Sequence, residues 1–217
     1  MGGVLLATVP PDRRPQRAVR LLVGLVLYGI STGLLVLAGL GLAPWDVLHQ
    51  GLSRALGMQV GTWTIIVSGV VLLGWIPLRQ RVGVGTLANA VVVGLVTNAV
   101  LALAPSPHGL PARLGVMLGA VALNGMATGL YIGAGLGPGP RDGLMTGIAA
   151  RGPSIRVVRT GMEVTVLVAG WFLGGTVGIG TVVYALAIGP MVHLTIPWLA
   201  LAARSRFPAP CAETTTA

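Results

Sequence analysis

Asp46 and Asp142 are the residues of this chain best placed to do chemistry, because each closes the same phrase. Gly39-Leu-Gly-Leu-Ala-Pro-Trp-Asp46 returns 96 residues later as Gly135-Leu-Gly-Pro-Gly-Pro-Arg-Asp142. In both copies a proline stands two residues before the acid. Proline suits the first position of a helix, so each aspartate falls near the third. One reading is structural: the carboxylates cap unsatisfied N–H groups at the positive end of a short helix. The other is functional: the two acids line an internal cavity and bind protons, cations or amines. The two are compatible.

The phrase also carries Gly39, Gly41 and Pro44 in one copy and Gly135, Gly137 and Pro140 in the other. This composition predicts non-helical backbone, which membrane depth tolerates only where it is buried in protein or lines a watery cavity. A glycine loop opening a helix can cradle an anion, but an aspartate in the first turn already neutralises the site. A cationic or zwitterionic solute therefore fits better than a phosphate. Glu163 is the only acid inside a long apolar run, with Arg159 one turn away. That spacing suits either a snorkelling ion pair or a proton or cation ligand in the bundle. These nine positions (the two aspartates, Glu163, four glycines and two prolines) form the candidate solute or ion site.

Other chemistry is not expected. Cys211 is the single cysteine, which excludes an internal disulfide or a thiolate metal cluster. No nucleophile–base–acid set or zinc spacing is present, so neither an enzyme, a metal nor a cofactor is expected. The Val82-Gly-Val-Gly-Thr86 and Val177-Gly-Ile-Gly-Thr181 elements lack the lysine and the strand context of a phosphate loop. They read as tight turns.

The elements that must hold these residues are membrane helices. Of the 217 residues, 54% are hydrophobic and only 9% charged, with a mean hydropathy of +0.86. Soluble domains carry about 25% charged residues. The net charge of +9 comes from 14 arginines at the ends of apolar runs, where topology-setting charge belongs. It does not interleave with polar and aromatic residues as a nucleic-acid surface would. The apolar start Val4–Val9 is too short for a signal peptide and leads into no cleavage site.

Six runs are long enough to span a bilayer: Arg17–Ala38, Gly61–Leu78, Val82–Ala104, Arg113–Ala134, Val157–Gly174 and Val177–Ala203. Trp63, Trp75, Trp171 and Trp198 near their ends predict an interfacial aromatic belt. Pro44–Leu56 and Pro140–Arg151 are shorter and predict interfacial or re-entrant helices. In the first of these, Trp45, Leu48, Leu52, Ala55 and Leu56 share one face, while Asp46, His49, Gln50, Ser53 and Arg54 lie largely elsewhere. With the N-terminus inside, twelve arginines lie inside and only Arg54 and Arg113 outside.

The repeat extends further. Gly29-Ile-Ser-Thr-Gly-Leu34 matches Gly125-Met-Ala-Thr-Gly-Leu130, and the two Val-Gly-x-Gly-Thr elements match each other. Each half is then helix, glycine loop, short helix, helix, turn, helix. Three crossings per half place the second half upside down, the inverted-repeat plan of many transporters. The expected fold is all-α: six transmembrane helices in two inverted three-helix repeats, each with a short helix. The first repeat covers 17–104 and the second 113–203, with an external loop at 105–112 and cytoplasmic tails at 1–16 and 204–217. An eight-span, parallel-repeat plan is the alternative. Gly29/Gly33, Gly125/Gly129 and Gly170/Gly174 predict close helix packing, and allow a homodimer. Asn89, Asn98, Asn124, Thr32, Thr128, Tyr184 and His193 are expected to hydrogen-bond between helices. Pro190 is expected to kink the last span or free a carbonyl.

Together the glycine–proline–aspartate phrase, the Val-Gly-x-Gly-Thr element and the six-span layout resemble the YczE/YitT-like bacterial integral membrane proteins, over about Arg17 to Ala200. The matching positions are Gly39, Gly41, Pro44, Asp46, Gly83, Gly85 and Thr86. Gly135, Gly137, Pro140, Asp142, Gly178, Gly180 and Thr181 are their internal counterparts. The resemblance implies a bacterial cytoplasmic-membrane protein sometimes suspected of transport. Arg141 stands where the first copy has Trp45, a departure that separates the two copies chemically. A small-solute transporter or exporter, surrounded by membrane lipid, is the leading expectation. A scaffold that docks a partner through the arginines of Arg141–Arg159 is the alternative.

Overall fold

The computed structural model describes residues 14–199. Residues 1–13 and 200–217, with Cys211 and the arginines at 13, 204 and 206, lie outside the described residues, and residues 14–16 of the expected N-terminal tail are part of the first helix. Eight helices follow one another: α1 Arg14–Ala38, α2 Pro44–Leu56, α3 Val60–Leu78, α4 Val84–Leu103, α5 Leu110–Gly133, α6 Pro140–Ala149, α7 Ile155–Phe172 and α8 Ile179–Leu199. No strand occurs among the described residues.

Length and composition fit α1, α3, α4, α5 and α8 for crossing a membrane. That makes five spans where the sequence predicts six. α7 has 18 residues but carries Arg156, Arg159 and Glu163, each costly at the bilayer centre. The spanning helices turn apolar side chains outward: Val70, Leu73, Leu95, Leu186 and Leu194 are all more than half exposed. Water would penalise such a belt at about 25 cal/mol per Å², whereas lipid does not.

α1 and α5 form the central pair, and their ends are tied crosswise. Arg17, near the start of α1, donates from Nη1 to the carbonyl of Ala134 just past α5 (2.9 Å). Arg113, near the start of α5, donates from Nε to the carbonyl of Ala38 (2.7 Å) and from Nη2 to Gly39 (2.9 Å). The start of each helix thus meets the end of the other, so the two run antiparallel. A cation at a helix C-terminus satisfies orphan carbonyls and opposes the dipole's negative end.

The glycine loops are held the same way. Gly39 and Gly135 have φ +62° and +67°, and Gly41 and Gly137 have φ +120° and +125°. Only glycine adopts the latter values readily. A Cβ on Gly41 would lie 2.8 Å from Gly178 N and Thr181 N, and one on Gly137 would lie 2.8 Å from Thr86 Oγ1. Each loop therefore docks on the Val-Gly-x-Gly-Thr element of the other half. Gly180 N donates to Leu40 O (2.8 Å) and Leu42 N to Thr181 Oγ1 (3.1 Å). In the matching seam, Gly85 N donates to Leu136 O (3.0 Å) and Thr86 Oγ1 to Pro138 O (2.7 Å). These elements cap α4 and α8 and serve as ledges for the opposite loop, a role beyond the predicted turns.

Pro44 and Pro140 open α2 and α6 after extended residues Ala43 (φ −60°, ψ 148°) and Gly139 (φ −62°, ψ 159°). The two short helices then exchange sides: α2 packs on α7 as well as α3, and α6 on α3 as well as α7. Gly29 and Gly33 lie against α4, Gly125 and Gly129 against α8, and Gly170 against the backbone of α2, so these small faces are used inside the bundle. α8 runs on as one helix through Pro190.

One expectation is corrected. Trp75 belongs to no interfacial belt: its side chain is 1% exposed, its ring lies on Gly143, and its Nε1 donates to Pro140 O (2.9 Å). α2 does not turn its polar face to water. Asp46, His49 and Gln50 are buried while Leu56 is exposed, because α7 and α3 cover that face.

Candidate functional site

Two cavities open off the first turns of α2 and α6. The larger, about 260 Å³, lies between α7 and α8 and reaches α1, α5 and α6. The smaller, about 40 Å³, is walled by α1, α2, α3, α4 and α6. Tyr28, Trp45 and Arg141 stand in the walls of both. Tyr28 is near the middle of α1, which places both cavities at mid-bundle.

The chain has three tyrosines, and Tyr28, Tyr131 and Tyr184 all line the large cavity. Tyr131 OH donates to Asp142 Oδ2 (3.0 Å). The Tyr28 ring meets Tyr131 edge-on at 6.0 Å, and the Arg141 guanidinium sits 5.5 Å from the Tyr28 centroid. A desolvated cation–π contact is worth about 2 kcal/mol. Tyr184 OH donates to Asn124 Oδ1 (3.0 Å), Asn124 Nδ2 to Ser31 Oγ (2.7 Å), and Ser31 Oγ to Tyr28 O (2.7 Å). This buried chain ties α8, α5 and α1 together behind the cavity, as predicted for Asn124 and Tyr184. Thr128 instead bonds within α5, to Asn124 O.

The charges of this cavity are mixed. Arg159 Nε pairs with Glu163 Oε1 at 3.0 Å, both partly exposed. Arg141 and Asp142 are neighbours in sequence, yet among the described residues no ion pair joins them. Each leans instead on a tyrosine. That leaves one cation and one carboxylate on the same wall, both able to accept a charged partner.

In the small cavity Asp46 and His49 are 5% exposed each. His49 Nδ1 lies 3.4 Å from Asp46 Oδ1 and 3.2 Å from Thr64 Oγ1. Thr64 spends its own proton on Val60 O (3.1 Å), so its oxygen is an acceptor toward His49.

Asp46, Asp142 and Glu163 are the acids among the described residues, and each lines one of the cavities. Pro44 stands in the wall of the large cavity and Pro140 in that of the small one. Gly41 and Gly137 stand in the docking seams instead, and Gly39 and Gly135 lie beside the Arg113 and Arg17 guanidinium groups. Neither aspartate accepts a backbone N–H among the described residues, so capping takes only its weaker form, a carboxylate in the first turn near the dipole's positive end. The sequence reading missed Tyr28 and Tyr131, and treated Arg141 as a departure. The signal available was scarcity: three tyrosines in a chain this long, each within one membrane run.

The comparisons with known proteins follow this geometry closely in extent. The family model described as "Family of unknown function (DUF6198)" matches residues 15–197, nearly the whole helical bundle. The chain belongs to that family. A relative from Haemophilus influenzae, described as "Uncharacterized protein", is 42% identical over 174 residues, covering 80% of each chain. The Bacillus subtilis protein described as "Uncharacterized membrane protein YczE" is 34% identical over 178 residues, covering 80% of this chain and 82% of its own. A second Bacillus subtilis protein, YyaS, is 26% identical over 182 residues. No solved structure matches the chain. This DUF6198 member is thus a YczE-like integral membrane protein.

Proposed function

We propose that this DUF6198 protein carries a small zwitterionic solute across the bacterial cytoplasmic membrane, with both termini in the cytoplasm. In this proposal α7 is the sixth span and the two repeats are inverted. The antiparallel α1–α5 pair and the reciprocal seams support inversion, and the arginine bias supports the orientation. The observation that carries the function is Arg141 beside Asp142 in the large cavity, unpaired with each other. A carboxylate on Arg141 and an ammonium on Asp142 would satisfy both. The volume, about 260 Å³, falls below the roughly 300–1,000 Å³ of sites for drug-sized molecules, which suits a small metabolite.

The cavities also differ in a way that suits alternating access. In the first half α3 and α4 touch: Asn98 Oδ1 accepts from Gly61 N (2.8 Å), and Gly61 and Gly94 are in backbone contact. In the second half no hydrogen bond among the described residues joins α7 to α8. Gly189, the counterpart of Gly94, would meet no atom within 4 Å if it carried a Cβ. One gate is closed over a small cavity and its counterpart is open over a large one. The docking alternative is weakened because Arg141 lies on Tyr28, Arg159 pairs with Glu163, and Arg151 bonds Gly147 O and Pro77 O.

Purified protein in liposomes, assayed by counterflow against zwitterionic, cationic and anionic metabolites, tests the proposal. Zwitterions are expected to exchange, with flux lost in Arg141→Gln and Asp142→Asn. Absence of flux for the whole panel overturns it.

A further inference from the structure

The described residues leave two buried side-chain polar atoms without a hydrogen-bond partner: Thr32 Oγ1 and His49 Nε2. Thr32 walls neither cavity. His49 walls the small one. Leaving a buried acceptor unsatisfied costs about 1–3 kcal/mol, so an orphan imidazole nitrogen at a polar cavity points to a ligand that comes and goes.

The neighbours say which ligand. His49 Nδ1 faces Asp46 Oδ1 and Thr64 Oγ1, both acceptors, and therefore carries the ring hydrogen. Nε2 is then a lone pair. The cavity beside it, about 40 Å³, has room for a water or two and for no organic solute. We propose that the small cavity is a proton-binding site, in which His49 Nε2 takes a proton from cavity water and Asp46 balances the new charge. The step forms one N–H bond, breaks one O–H bond of hydronium or water, and changes no oxidation state.

The groups around His49 favour reversible loading. On α2 itself Asp46 is the partner, and Arg54 at the far end bonds Gly174 O. α3 offers Thr64 and Ser68, α4 Asn89 and α1 Tyr28, none charged. α6 offers Arg141. On α7, Arg159 and Glu163 pair with each other on the side of the large cavity. The imidazolium thus gains one adjacent carboxylate and faces one cation, Arg141. That residue also walls the solute cavity, so loading the proton pushes on the group proposed to hold the solute's carboxylate. Coupling between proton and solute rests on the transport reading; proton binding itself does not.

The imidazole nitrogen shifts of ¹⁵N-histidine-labelled protein in detergent test the site without any solute. The chain has three histidines, and His49→Gln, His108→Gln and His193→Gln assign the signals by loss or by elimination. On acidification the His49 ring is expected to pass from its Nδ1–H neutral form to the doubly protonated form. Asp46→Asn removes the carboxylate that balances the imidazolium and should make that conversion less favourable. A His49 ring that stays neutral throughout, or a transition unmoved by Asp46→Asn, overturns the proton site. In liposomes holding a pH dye, zwitterion entry should alkalise or acidify the lumen in the natural protein. With His49→Gln, the pH change per solute exchanged should fall by at least about tenfold. A pH signal that survives His49→Gln overturns the coupling. Absence of solute flux overturns the transport reading and the coupling together, and the titration still decides the proton site.

Discussion

Trp45 and Arg141, 96 residues apart and at matching positions of the repeat, both stand in the walls of both cavities. The internal symmetry sets the two first turns on the same cavities, and the substitution of arginine for tryptophan makes the second copy's share of the wall charged. Arg141 then rests on the Tyr28 ring, and Asp142 on the Tyr131 hydroxyl. The repeat supplies the place and its breach supplies the chemistry.

Selective loss of ligand groups follows. Binding can be read as the rise in melting temperature that a saturating ligand gives. Arg141→Gln should abolish the response to a zwitterion while keeping that to the matching amine. Asp142→Asn should do the reverse, keeping the response to the matching carboxylate. Each lost charge-assisted contact is worth about 1.5–3 kcal/mol, or roughly 10- to 100-fold in affinity. Identical losses for all ligands in both variants would show a folding effect in place of recognition.

Much of this was legible in the sequence, and the reasons differ by residue. The bounds of α2 match the predicted Pro44–Leu56 to the residue, because a proline at its start and Gly57 at its end leave little choice. The glycine loops were legible as loops from composition alone. Their docking partners were not, because a seam between Gly41 and Thr181 depends on how the halves cross. Trp75 was misplaced for a similar reason: a tryptophan near a helix end looks interfacial until a neighbouring element such as α6 covers it. α7 shows the limit of counting apolar runs, since three charged residues in 18 separate it from the five helices that fit a span, and two of them, Arg159 and Glu163, pair with each other.

The crossed arginines are expected to hold the bundle. Arg113→Ala removes two hydrogen bonds to the end of α1 and should lower stability by about 2–4 kcal/mol, and Arg17→Ala removes the bond to Ala134 O and should lower it as well. Arg113→Lys should recover only part of the loss, because an ammonium lacks the fork that serves Ala38 and Gly39 together. Chemical denaturation in detergent measures the order.

Gly94 and Gly189 should behave oppositely although they are counterparts. Gly94→Leu places a side chain against Gly61 and Ile65 and should destabilise the protein outright, by overpacking worth roughly 1–3 kcal/mol. Gly189→Leu enters open space and should leave the melting temperature nearly unchanged, while blocking closure of α7 on α8. Solute exchange in liposomes should then fall by at least about tenfold with the fold intact. Full exchange in Gly189→Leu would remove the closing motion from the mechanism.

Topology is open to a direct measurement that the burial of Asp46 reshapes. A cysteine at position 46 would be inaccessible, since the side chain is 5% exposed. Met58 and Ala150, at the far ends of α2 and α6, are both exposed. With Cys211→Ala as background, Met58→Cys should react with an impermeant thiol reagent from outside and Ala150→Cys only from within. The α1–α5 pairing requires this: the end of α1 leads to α2, the end of α5 leads to α6, and those two ends point opposite ways. Labelling of both from one side would mean that one of the two short helices crosses the membrane, and the inverted three-plus-three plan would fall with it.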